Sequence, residues 1–329
     1  MIITRTPFRV SFFGGGSDMA AFYRRSTGAV LSTSIDRYMY LSAHPYFDGS
    51  SISLKYSRTE LAKSAEELQH PIVKTVLMRQ GLHHGVEITS TADVPSGTGL
   101  GSSSSFTVGL LHLIYAYQGK HVSHETLART ACDIEIEDLG APIGKQDQYA
   151  AAYGGLNFIQ FFSDDKVDVT PLVITPACRT ALESSLMMFY TGEQRSANDV
   201  LAKQRTAVLT EDDKFKSVQR MVELAWEARR YLENEDVSAF GRLLHVAWDI
   251  KRSLSAGISN AGIDDMYTRA MEAGAWGGKL LGAGGGGFLL LSAPRDKQPD
   301  IRRALHTSKE IKLGLDRGGS KVVYTSEDF

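Results

Sequence analysis

Cysteine is almost missing from this chain: Cys132 and Cys178 are the only two among 329 residues. Two thiols cannot build a disulfide framework, so a reducing, cytoplasmic setting is expected. Excess charge of either sign is missing too. The formal net charge is −2, which argues against nucleic acid or a membrane surface as a partner. No apolar run approaches membrane-spanning length; Phe288 to Leu291 is far too short. The nine histidines show no zinc-ligand spacing, and the pair His83 and His84 is weak evidence by itself. The start, Met-Ile-Ile-Thr-Arg-Thr-Pro, lacks the basic segment and long apolar core of a signal peptide. There is no internal repeat and no low-complexity tail. Hydrophobic residues make up 43% and charged residues 22%, the composition of a globular protein, and the length suits two domains.

Glycine, in contrast, is abundant and clustered. The most informative stretch is Pro95-Ser-Gly-Thr-Gly-Leu-Gly-Ser-Ser-Ser-Ser105. It follows an alternating, strand-like run from Val86 to Val94 and precedes an apolar helical run from Phe106 to Tyr117. A strand, a glycine turn and a helix are the context in which backbone cradles phosphate. Glycine lets the chain approach an anion closely, and the first turn of the helix directs N–H groups and a positive dipole end at it. No Lys-Ser/Thr pair follows the last glycine, so this is not the common phosphate loop, and the spacing does not fit a dinucleotide fingerprint. A plain serine-rich turn is the competing reading.

Three further segments carry chemistry-bearing residues. After a strand over residues 2–13, Gly14, Gly15 and Gly16 lead into Ser17 and Asp18; such a run marks either close approach to a ligand or a tight turn. Ser123 can cap a helix that ends at Gly140. On its wheel Leu127, Ala128, Ala131, Cys132, Ile134 and Leu139 form one apolar arc, and Glu135 projects into the middle of it. A carboxylate on a core-facing arc needs a partner, which could be Mg²⁺ or a basic side chain. Asp147 opens a short apolar helix as a reactive group or as a cap. Later, Lys279 to Leu291 reads as strand, glycine turn and strand, with Gly284 and Gly285 in the turn, again a hairpin if taken alone. Elsewhere the patterns predict strands over Ala29–Ile35, Tyr38–Ala43 and Ile52–Tyr56, and a helix from Ala62 to Gln80 broken early by Pro71. Helices are predicted over 200–209, 211–234 and 236–254.

The pattern Pro-x-x-x-Gly-Leu-Gly-Ser-Ser resembles the ATP loop of the GHMP kinase superfamily. The segment from Arg5 to Asp18 resembles the N-terminal substrate motif of that superfamily, the segment from Gly144 to Gln148 its catalytic-aspartate segment, and the third glycine run its last motif. The resemblance spans nearly the whole chain. It implies an α+β fold with a ribosomal-S5-like first domain, residues 1–178, and a ferredoxin-like second domain, residues 179–329. It implies ATP held by Pro95, Gly97, Gly99, Leu100, Gly101, Ser102, Ser103 and Ser104, and Mg²⁺ held by Ser103, or its neighbour Ser102, together with Glu135. Asp147 becomes the general base, with Arg9 beside it offsetting charge on the transferring phosphoryl group. Gly15, Gly16, Ser17, Asp18, Gly284 and Gly285 become substrate contacts. Galactokinases carry Glu-His where this chain has Gly15-Gly16, so galactose is disfavoured. The Trp248-x-x-Lys-Arg-x-Leu-Ser segment and the Gly144 region point within the superfamily to the heptose phosphate kinases, whose small-molecule substrate is a phosphorylated sugar. Such a substrate needs a second anion site, for which Arg24, Arg25, Arg195, Lys251 and Arg252 are candidates. A fucokinase-like enzyme and, in a different class, a non-catalytic sugar sensor are the alternatives.

Overall fold

The structure is a computed structural model that describes residues 1–192 and 197–326. The larger of its two sheets holds β1 (Ile2–Phe13), β2 (Gly28–Pro45), β3 (Ile52–Lys55), β4 (Thr59–Ala62), β5 (Val86–Ala92), β6 (Leu156–Phe161) and β7 (Val167–Pro171). The smaller holds β8 (Leu186–Tyr190), β9 (Gly277–Leu280), β10 (Phe288–Ser292) and β11 (Glu310–Ile311). Its order is β11-β8-β10-β9 with antiparallel neighbours, the ferredoxin-like arrangement. A last strand, β12 (Lys321–Thr325), returns to the larger sheet and pairs with β1. Residues 2–171 thus supply the larger sheet and residues 186–311 the smaller, except for this strand, which covers the outer edge of β1.

Where the pattern predicts two strands, β2 is one strand of 18 residues. Both halves stay extended because both pair with β1, from Ile2 opposite Ala43 to Phe13 opposite Leu31. On its far side the first half pairs with β6 and the second with β5. The predicted helix over Ala62–Gln80 is also revised. Ala62 ends β4, a single tight turn covers Ala65–Glu67, and the helix runs from Pro71 to Arg79. Proline lacks an N–H and has φ preset for a helix, so it starts this helix rather than interrupting it.

The apolar helix Ser102–Tyr117 packs on β1 and β2, and Gly109 is the point of closest approach. A Cβ there would sit 2.7 Å from the Thr6 hydroxyl. The helix Val237–Ser253 joins the two halves: Phe240 meets Phe12 and Phe13 edge-on, with ring centroids at 5.2 and 5.3 Å. Such pairs add directional stabilisation to the buried area. Among the described residues no helix is long and apolar enough to cross a membrane.

Candidate active site

The loop between β5 and the helix Ser102–Tyr117 has Gly97, Gly99 and Gly101 at φ of 74°, 82° and 75°. These are left-handed conformations that glycine adopts without a steric penalty. Gly99 needs its bare backbone for a second reason: a Cβ would meet the carbonyl oxygen of Leu281 at 2.5 Å. Likewise a Cβ on Gly282 would strike the Cα of Gly99, and one on Gly287 the carbonyl of Thr98. The third glycine run is thus a support laid directly against the first. A cavity of about 490 Å³ opens beside them, within the range of small-molecule sites. Gly97, Gly99, Gly101, Ser102, Ser103 and Ser104 line it, with Gly282, Gly284 and Gly286 opposite.

Two residues of the loop shape it without lining the cavity. Pro95 is exposed, and its carbonyl accepts the Thr98 hydroxyl at 2.9 Å. Leu100 is buried, and its carbonyl accepts the Arg9 N–H at 3.1 Å.

Glu135 reaches the same cavity. The Ser123 cap forms as predicted, accepting from Thr126 N–H at 3.1 Å, but the α-helix gives way at Asp133 to a π-helical turn through Asp138. That turn, widened to i→i+5 bonding as in Leu139 N–H to Ile134 carbonyl at 3.0 Å, rotates the face that follows. Leu139, placed on the apolar arc by a 3.6-residue period, is therefore partly exposed at the cavity, while Glu135 is buried. Its carboxylate accepts from Ser103 Oγ and from Gln148 Nε2, both at 2.7 Å. Burial raises its pKa and the hydroxyl and amide bonds oppose that rise. It forms no ion pair among the described residues. A buried carboxylate without a cation, bonded to a loop hydroxyl and open to the cavity, is a donor set that fits Mg²⁺. Among the described residues no cluster of three or more His, Cys, Asp or Glu competes for a metal.

Arg9 and Asp147 form a two-point ion pair, Nε to Oδ1 at 2.7 Å and Nη2 to Oδ2 at 2.6 Å. The remaining Nη1 donates to the Gly99 carbonyl at 2.6 Å, tying the pair to the glycine loop. Beyond it lies a smaller, more enclosed cavity of about 80 Å³. Arg9 and Asp147 line both cavities and so stand at their junction.

Gly15, Gly16 and Asp18 line the smaller cavity. Asp18 accepts from Gly16 N–H at 2.9 Å and Gln146 N–H at 3.2 Å. Burial, and then the negative charge of Asp147, push its pKa up to about 6. Lys251 also lines this cavity and is buried. Its ammonium donates to the carbonyls of Leu280, at 3.3 Å, and Gly282. Burial and neighbouring Arg9 bring its pKa down to about 8.

The other predicted contacts lie elsewhere. Ser17 is fully buried and its hydroxyl donates to the carbonyls of Gly14 and Ala29, at 2.7 and 3.1 Å, so it fastens the turn to β2 rather than facing substrate. Gly284 lines the larger cavity beside the loop, whereas Gly285 lines neither and donates to the Ile258 carbonyl at 2.9 Å. Arg252 points outward and pairs with Asp249 at 2.9 Å and Asp264 at 3.7 Å. Arg24 pairs with Asp165 and Arg25 with Asp212, both at the surface. Arg195 lies outside the described residues.

Four polar lining residues escape the sequence reading: Ser11, Gln146, Gln204 and Lys279. Lys279 is a buried ammonium that donates to the carbonyls of Ser11 and Phe12 at 2.8 Å each. A lysine between the glycines of β9 and the leucines that follow, within an otherwise apolar strand, is the signal that could have flagged it.

A family model described as GHMP kinases N terminal domain matches residues 61–155, and one described as GHMP kinases C terminal matches residues 228–310. Together they take in more than half of the chain. The protein belongs to the GHMP kinases. D-glycero-alpha-D-manno-heptose 7-phosphate kinase of Campylobacter jejuni is 29% identical to this GHMP kinase over 317 residues, covering 92% of this chain and 93% of that one. The bifunctional fucokinase/GDP-fucose pyrophosphorylase of Arabidopsis thaliana is 30% identical across 93% of this chain, which spans only 31% of that longer protein. Among solved structures, a D-glycero-D-manno-heptose 1-phosphate kinase from Bacteroides thetaiotaomicron shares the fold. Its TM-score is 0.82, covering 99% of this chain and 100% of that one, at 24% identity. This GHMP kinase is thus a phosphotransferase.

Proposed function

We propose that this chain is an ATP-dependent kinase that phosphorylates the anomeric hydroxyl of D-glycero-D-manno-heptose 7-phosphate. The product would be the 1,7-bisphosphate, an intermediate toward GDP-heptose for surface glycans. The observation that carries the reading is the placement of Arg9 and Asp147 at the junction of two cavities, one against the glycine loop and one against Asp18. Likeness to the Campylobacter jejuni enzyme along nearly the full length of both chains supports the choice of sugar.

The ATP triphosphate lies along Gly97 to Ser104, where bare backbone and the start of the helix favour an anion. Ser103 and Glu135 would hold Mg²⁺, which when bound neutralises charge on the phosphates. Each Asp147 oxygen has two lone-pair positions and Arg9 takes one on each, so the carboxylate can still accept a proton from the sugar hydroxyl. The deprotonated sugar oxygen attacks the γ-phosphorus, the bond to the bridging oxygen breaks, and ADP leaves. Arg9 faces the charge that builds on the phosphoryl group. Asp18 accepts from sugar hydroxyls. Of the described basic residues considered for the sugar's own phosphate, Lys251 is the one in the substrate-side cavity.

The 30% identity to the plant fucokinase favours one second reading, a kinase of an unphosphorylated monosaccharide. The test measures ADP release with Mg²⁺ and ATP across heptose 7-phosphate, the free heptose, fucose, galactose and mannose. Turnover confined to heptose 7-phosphate is expected. Preference for a free sugar would replace the substrate and keep the chemistry. No turnover with any of them would overturn the kinase reading as stated.

A further inference from the structure

Gly16 sits at φ of 97° in the turn after β1. The amide nitrogen of Gln204, from the helix Ala197–Thr210 of the second domain, occupies the space a Cβ on Gly16 would take. Gln204 is 4% exposed and makes no hydrogen bond with any described residue, yet it lines the substrate-side cavity. Two neighbours in that cavity carry orphaned buried atoms. Ser11 Oγ and Gln146 Oε1 are buried without a partner, although Gln146 Nε2 does donate to Asp18 at 3.3 Å. Ser11 Oγ also faces the missing side chain of Gly15, 3.7 Å from where a Cβ would be. An orphaned buried polar atom costs stability, and two of them beside the Gln204 amide in one small cavity need an explanation. All three are neutral, so neither a metal nor a phosphate explains them; hydroxyl groups, which both donate and accept, match an amide and an alcohol.

We propose that Gln204 is a specificity-determining residue contributed by the second domain. Gly16 makes room for it, and with Ser11 and Gln146 it reads hydroxyls of the sugar that the Arg9–Asp147 pair phosphorylates. This rests on the sugar kinase reading and adds to it the residues that tell one polyol from another. It also explains the glycine at position 16: a side chain there would evict the reader.

The test compares the wild type with Gln204→Leu, which keeps a branched side chain, one atom shorter, and removes both polar atoms. The substrates are the accepted sugar and a set of its monodeoxy analogues. The expected result is a KM for the sugar raised about tenfold or more with an unchanged KM for ATP, since a buried polar group left unmatched in the complex is penalised to about that extent. One deoxy analogue, lacking the hydroxyl that Gln204 reads, is expected to be handled equally by both proteins. The melting temperature of the free variant is expected to stay level or rise, because the substitution breaks no hydrogen bond to a described residue. Gly16→Ala, which displaces the amide while leaving Gln204 in place, is expected to show the same analogue-specific loss. Equal loss on every analogue together with a lower melting temperature would make Gln204 a structural residue and overturn the proposal, as would an unchanged KM. Should the wild type turn over no sugar, the kinase reading falls separately. Calorimetric sugar binding then decides Gln204 by itself, and an unchanged Kd on Gln204→Leu overturns it.

Discussion

Asp147 accepts both bonds of Arg9 at 2.6 to 2.7 Å and still faces the substrate-side cavity. Asp147→Asn keeps the shape of this side chain and removes its ability to take a proton. General-base catalysis contributes about 10² to 10⁴ in rate, so kcat is expected to fall by at least a hundredfold. The ATP Kd, read by titration, is expected to move only a few-fold, because the phosphates are held by loop backbone. Retained turnover would take the general-base role away from Asp147. At this scale the sequence was an uneven guide. Arg9, Asp18, Glu135 and Asp147 stand in patterned surroundings, a fixed distance from glycines or on a polar interruption of an apolar face. Gln204 is one amide on an amphipathic helix and reaches the site only because the second domain folds over Gly16. Nothing in periodicity marks it. Lys251 and Arg252 look alike as neighbours in the sequence, and only the turn of the helix sends one into the cavity and the other to solvent.

Elements were legible where a local rule governs them. The glycine turn around Gly99 follows from steric freedom, the Ser123 cap from one local hydrogen bond, and the long helices of the second domain from their apolar periodicity. Pairing partners were not: β2 reads as two strands because its middle is polar, and only β1 beside it keeps the chain extended. The π turn at Asp133–Asp138 is invisible because a period of 3.6 cannot announce its own interruption. The contact between the two glycine runs gives a test of how these elements act together. Gly287 does not line the nucleotide-side cavity, but its φ is 103° and any Cβ would strike the Thr98 carbonyl. Gly287→Ala must move the loop backbone or strain its own, at about 1–3 kcal/mol. The KM for ATP is expected to rise by about tenfold with little change for the sugar, and the melting temperature to drop by a few degrees. An ATP KM equal to that of the wild type would mean that the third glycine run does not position the loop.

For the whole molecule, the substrate-side cavity is a burden on the unliganded fold, and pH exposes it. Asp18 has a folded pKa of about 6 against 3.8 when unperturbed. Between those values the folded state keeps a proton that the unfolded chain has released, so stability falls as pH rises from about 4 to 6. At 1.36 kcal/mol per unit the full effect is about 3 kcal/mol. Lys251 has a folded pKa of about 8 against 10.5. There the unfolded chain holds the proton, so stability recovers as pH rises from about 8 to 10.5. Both groups are charged and unfavourable between about pH 6 and 8, where a sugar donating to Asp18 and an anion meeting Lys251 would relieve them. Asp18→Asn removes the acidic limb whatever offset it adds through lost hydrogen bonds. Denaturant unfolding at pH 4.5 and 6.5 reads the difference: the wild type is expected to lose on the order of 2 kcal/mol more than Asp18→Asn over that interval. Parallel losses in the two proteins would place the Asp18 carboxyl in ordinary solvent-like surroundings and remove the argument that this cavity is built at the expense of stability.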